Sequence, residues 1–129
     1  ATGADFFPTL LDFANIPLLP KQHIDGVSLK PLFEGKGLKD RELYWHYPHY
    51  SNQGGKPGSA IIQHPFKLIY NYEDQSIELY NLTSDIAETN NLVQLKPALA
   101  KKLQHKLQEW LTRTKAKFPD KNPAYQGVK

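Results

Sequence analysis

The residues best suited to chemistry stand in Trp45-His46-Tyr47-Pro48-His49-Tyr50. An imidazole pair of this kind can carry protons or bind a metal. On a strand, however, positions three apart point to opposite faces, which keeps His46 and His49 from sharing one ion. No Asp, Glu or Cys stands nearby at a ligand spacing that would complete such a site. A strand end of aromatic residues that runs into a loop suits the lining of a substrate cleft or the packing of a sheet. That loop, Ser-Asn-Gln-Gly-Gly-Lys-Pro-Gly over 51–58, brings Asn52 and a cation, Lys56, that would contact an anionic ligand. It lacks the spacing of a phosphate-cradling loop.

Other chemistry is poorly supplied. Asp25, Asp40, Glu42, Asp85 and Glu88 are scattered and form no spaced pair for acid–base work. Asp85 and Glu88 are expected to accept hydrogen bonds from backbone donors around a turn. Asn81-Leu82-Thr83 matches the glycosylation acceptor pattern, a short motif with many chance matches. Gly-x-Ser-x-Gly, Gly-x-Gly-x-x-Gly and His-Glu-x-x-His are all absent. The chain of 129 residues has no Cys, which excludes disulfides, thiolate metal sites and a Cys nucleophile. No apolar run approaches the roughly 20 residues of a membrane span. The N-terminus shows neither a basic flank with an apolar stretch nor a Met, so the sequence reads as a piece of a longer chain.

Charge is distributed unevenly. Residues 1–95 hold 7 Lys and Arg against 11 Asp and Glu, a net −4, whereas residues 96–129 hold 9 against 2, a net +7. A basic face of this kind would meet a glycan or nucleic acid in an independent binding module, the alternative to an enzyme part. Lys-rich exposed faces also serve solubility. Only Arg41 and Arg113 among the 16 basic residues are Arg, the side chain preferred for gripping phosphate, which disfavours a nucleic-acid binder.

The elements that must position these groups follow from periodicity. Phe6, Leu10 and Phe13, flanked by Phe7, Leu11 and Ala14, predict a helix over Asp5–Ala14, capped by Thr2 or Asp5 and ended before Pro17. Its face is very apolar for its length and calls for a larger partner. Residues 17–40 read as loop and short turns, with Leu29, Leu32 and Phe33 as anchors, a linker along a neighbouring domain. Strands are predicted over Leu43–Tyr47, Ser59–Gln63, Phe66–Tyr72 and Ile77–Tyr80, a meander with one apolar face. Lys96 to Thr114 predicts the helix that covers it, through Leu99, Leu103, Leu107, Trp110 and Leu111. An irregular tail with Pro119 and Pro123 follows. The expected fold is α+β: a four-stranded antiparallel sheet packed against one long C-terminal helix, preceded by an N-terminal helix and extended linker arm. The division falls at 1–40 for the arm and 41–129 for the α+β unit.

Taken in order, these segments resemble the type I, formylglycine-dependent sulfatases. DFFPTLLDFANIP and HIDGVSLKPLFEG are similar to that family's late helix and linker. RELYWHYPHYSNQGGKPGSAIIQHPFKLIYNYEDQSIELYNLTSDIAETNNL is similar to its C-terminal subdomain, and the helix with Trp110 completes it. The likeness spans about residues 5–125; Ile62-Gln63 stand where such sequences often have Ile-Arg. The resemblance implies an alkaline-phosphatase-like catalytic domain upstream, in which a Cys or Ser of Cys/Ser-x-Pro/Ala-x-Arg becomes formylglycine and calcium supports attack on the sulfate ester. No such motif occurs in this chain, so the formylglycine and calcium are expected in the preceding domain, and the chain alone is expected to be inactive. The implied partners are that catalytic domain and a sulfated sugar or aryl sulfate, with no nucleic acid and no membrane. The implied site residues are the pocket-rim candidates His46, His49, Tyr47, Asn52 and Lys56. The implied location is periplasmic or extracellular, and the bare N-terminal arm is expected to self-associate.

Overall fold

A computed structural model describes residues 1–52 and 54–120; Gln53 and the tail with Pro123 lie outside the described residues. The chain divides into two compact units, residues 1–40 and 41–129.

In the first unit a single 3-10 turn, Gly3–Asp5, leads into helix α1, Phe6–Phe13. At the start of that turn Thr2 N donates to Asp5 Oδ2 at 2.6 Å, and Asp5, fully buried, makes no side-chain cap bond to the first turn of α1. Asp5 Oδ1 also accepts the Val27 N–H at 3.0 Å, while the Thr9 hydroxyl accepts that of Leu29 at 2.9 Å. The following segment is thus pinned to the helix by polar side chains. It comes so close that a Cβ on Gly26 would lie 2.1 Å from the Ala4 carbonyl oxygen. The predicted loop over 17–40 contains one helical turn, α2, Lys30–Phe33, with Pro31 in its first turn, where proline's fixed φ suits a helix start. Leu32 and Phe33 are exposed, and Phe33 meets Phe13 edge-on at 5.4 Å. The apolar face of α1 also points outward, with Phe6 66% and Leu10 65% exposed.

The second unit is the predicted meander. Strands β1 Glu42–Tyr47, β2 Gly58–Gln63, β3 Phe66–Asn71 and β4 Ile77–Asn81 pair antiparallel in the order β1-β2-β3-β4. The register aligns Tyr44, Ile61, Leu68 and Leu79 in one row. Because strand side chains alternate in direction, this row faces one side, and helix α3, Pro97–Arg113, packs on it. Ala100, Leu103, Leu107 and Leu111 form the buried stripe of α3. Leu99 and Trp110, read from the sequence as members of the stripe, lie at its flanks; Trp110 stacks flat on Tyr44 at 4.9 Å.

The free edge of β4 is partly covered. Asn91 Oδ1 accepts the Leu79 N–H at 3.1 Å, and the Leu92 N–H donates to the Leu79 carbonyl at 2.7 Å. Asp85 ends a turn as expected, accepting N–H bonds from Thr89 and Asn90 that hold its carboxyl below the usual range. Glu88 departs from the expectation: its carboxylate pairs with Lys67 Nζ at 2.7 Å, because Lys67 on β3 comes within reach only when the sheet is assembled.

Candidate functional site

The β1–β2 loop, 48–57, is held at its base by the last rungs of the hairpin, His46 opposite Ser59 and Tyr47 opposite Gly58. Gly58 is required there, since a Cβ would lie 2.9 Å from the Tyr70 carbonyl oxygen and force β2 from β3. Within the loop the Ser51 N–H donates to Gly55 O at 2.9 Å and the Gly54 N–H to Ser51 O at 3.1 Å. Tyr72 N–H donates to Pro57 O at 3.0 Å and fixes the returning end.

The five rim candidates separate into two groups. His46 shares the α3 side of the sheet with Tyr44, two residues before it. Its Nδ1 lies 2.8 Å from both Ser59 Oγ and Tyr72 Oη, and its Nε2 lies 2.8 Å from the Lys117 carbonyl. The Ser59 and Tyr72 hydroxyls also bond to each other. The His46 ring meets Tyr72 and Phe118 edge-on, each at 5.7 Å. Burial raises the Tyr72 phenol, against a lowering by the Ser59 bond.

Tyr47, His49, Asn52 and Lys56 are exposed. Tyr47 leaves the opposite face of β1 from His46 and meets His49 edge-on at 5.6 Å. Lys56 Nζ lies 3.3 Å from Glu73 Oε2. The structure thus brings Tyr47 and His49 together and sets His46 apart. Ser59, Tyr72 and Phe118 escape a reading of the sequence for chemistry, because a lone Ser and two aromatics carry no spacing signal. The strand register would have exposed Ser59 once paired with His46.

Two further features lie at the seam with α3. Lys106 Nζ lies 2.5 Å from Glu42 Oε1 and 3.0 Å from Gln63 Oε1, and the Tyr44 hydroxyl donates to Glu42 Oε2 at 2.5 Å. The Lys106 and Tyr44 bonds lower the Glu42 carboxyl, while burial and the same carboxylate raise the Tyr44 phenol. Lys106 is therefore turned into the seam; Lys101 and Lys102 stay exposed on the basic face. Near the C-terminal end of α3 lies a cavity of about 190 Å³ between Tyr70, Tyr72, Gln104, Gln108 and Phe118. Among the described residues no group of three or more His, Asp or Glu is placed to hold a metal ion, and no helix is long and apolar enough to cross a membrane.

Comparison with known proteins gives concordant results. The family model described as N-sulphoglucosamine sulphohydrolase, C-terminal, matches residues 1–117. A protein of Formosa agariphila named sulfatase is 41% identical over 87% of this chain, which spans 23% of that protein. A solved structure from Bacteroides thetaiotaomicron superposes with a TM-score of 0.71 at 24% identity, over 92% of this chain and 27% of that one, a likeness of fold. A structure solved in complex with its substrate D-glucosamine-2-N,6-O-disulfate matches with a TM-score of 0.67 at 32% identity, over 92% and 25%. The chain thus spans about a quarter of the length of these proteins.

Proposed function

This chain belongs to the N-sulphoglucosamine sulphohydrolase C-terminal family, and on that premise we propose that it serves a sulfatase, hydrolysing sulfate esters, as the non-catalytic portion that helps shape the substrate pocket. The match over residues 1–117 carries this reading. The formylglycine and calcium of such chemistry do not fit the described residues, which offer no metal-ligand cluster, and the sequence has neither a Cys nor the required Ser motif. Both groups are assigned to the rest of the parent chain, which supplies the nucleophile and the charge stabilisation.

The part proposed for this chain is recognition. Tyr47, His49, Asn52 and Lys56, with His46 at the base of their loop, form the rim. Aromatic faces suit a sugar ring, while an ammonium and an imidazole suit an anionic substituent on it. Support for a sulfated sugar as the substrate comes from the 32%-identical relative solved with a sulfated glucosamine. The outward apolar face of α1 is proposed to pack on the catalytic portion, consistent with how seldom such surfaces stay bare. A periplasmic or extracellular location is part of the same reading.

The test is a comparison of the full-length protein with residues 1–129 alone, assayed for release of sulfate from a sulfated glucosamine and from an aryl sulfate. Turnover is expected only from the full-length protein. Turnover by residues 1–129 alone refutes the assignment of the reacting groups elsewhere.

A further inference from the structure

We infer that His46 is a positioning residue: it locks the mouth of the 48–57 loop to the segment that follows α3, and does not itself touch substrate. The inference rests on the reading of that loop as part of the pocket rim. It starts from how α3 ends. Lys115, at φ 54°, is left-handed; its N–H donates to Thr112 O and the Ala116 N–H to Leu111 O, at 3.1 and 3.0 Å. This is the paired bonding of a Schellman turn. It turns the chain so that the Lys117 carbonyl meets His46 Nε2 at 2.8 Å.

A carbonyl only accepts, so Nε2 carries a proton. In the neutral ring Nδ1 is then an acceptor, taking a hydrogen from Ser59 or Tyr72 while the other hydroxyl donates into the first. Both ring nitrogens are consumed internally, which leaves none for a sulfate oxygen. Ser59 is only 3% exposed, so its hydroxyl depends on this partner set, and an unmade bond there is costly. The same Tyr72 that bonds His46 also holds Pro57 through its backbone. One knot centred on these side chains therefore joins both ends of the loop, the residue that follows β3 and the chain after α3. A fixed base leaves Tyr47, His49, Asn52 and Lys56 less freedom to lose on binding.

Variants of the full-length protein test this. Hydrogen exchange by mass spectrometry is read on peptides covering 48–57, with β3 and β4 peptides as the control for folding. Km and kcat are read on a sulfated glucosamine. His46→Ala and the milder Tyr72→Phe should both speed loop exchange about tenfold, leave the control peptides unchanged, and raise Km several-fold with kcat within about twofold. His46→Gln should restore most of both, because its amide donates toward Lys117 and its oxygen accepts a hydroxyl. A rise in Km with loop exchange unchanged makes His46 a ligand and overturns the inference. So does a Tyr72→Phe protein that behaves as wild type in both readouts. Faster exchange in both variants with Km unaltered upholds the knot and refutes the placing of the loop on the rim.

Discussion

Leu103→Ala probes the joint between α3 and the sheet. Leu103 is 1% exposed and lies among Ile61, Leu68, Leu79 and Leu107. The truncation removes three carbons, worth about 2.4 kcal/mol of transfer free energy at ~0.8 kcal/mol each. A residual cavity adds to this, since a sheet tied by three ladders cannot collapse into the space, and the total comes to about 3–4 kcal/mol. For a unit of this size the thermal midpoint should fall by roughly 12–32 °C, and the urea midpoint by about 1–4 M. Both tryptophans of the sequence, Trp45 and Trp110, lie in this unit, so fluorescence reports its unfolding. Leu95→Ala is the control: at 74% exposure it should change stability by less than ~0.5 kcal/mol. If Leu103→Ala costs under about 1 kcal/mol, or no more than Leu95→Ala, the packing of α3 described above is wrong.

Glu42 is held below its usual 4.5 by Lys106 and then Tyr44, so its contribution to stability is complete above pH 4.5 and is lost as the pH falls through its depressed value. Glu42→Gln should flatten that acid limb in denaturation curves taken between about pH 5 and 2. Lys115→Gly places the unhindered residue at a left-handed position and should raise the unfolding free energy by up to ~1 kcal/mol in urea titration; a loss would show that Lys115 makes a contact that offsets the strain. Lys56 shares an exposed ion pair with Glu73, so Glu73→Gln should lower Km for a sulfated sugar about twofold to fivefold, and Lys56→Gln should raise it. Equal effects of the two in the same direction contradict a role for the Lys56 charge. Residues 1–129 alone should self-associate at high concentration through Phe6, Phe7, Leu10 and Phe13, and light scattering showing a monomer throughout contradicts this.

Much of the architecture was legible in residue order because it rests on short-range periodicity. Alternation around Ile61, Leu68 and Leu79 specifies strands with one apolar face, and Leu103, Leu107 and Leu111 specify a helix able to cover it. His64-Pro65 and Glu73-Asp74-Gln75 are turn signals close enough to fix an antiparallel order. The helical turn at Lys30–Phe33 was hidden because four residues show no period, and its proline reads equally as a turn signal. The candidate site was legible only as a set of side-chain types. The sequence marks His46 and His49 alike, two imidazoles beside an aromatic strand. Tertiary structure alone separates them, since a partner 71 positions away in the chain, the Lys117 carbonyl, takes one nitrogen of His46, and the assembled sheet brings Tyr72 and Ser59 to the other. Local pattern fixes which face a side chain takes, whereas hydrogen-bond partners distant in the chain are decided only when the elements pack.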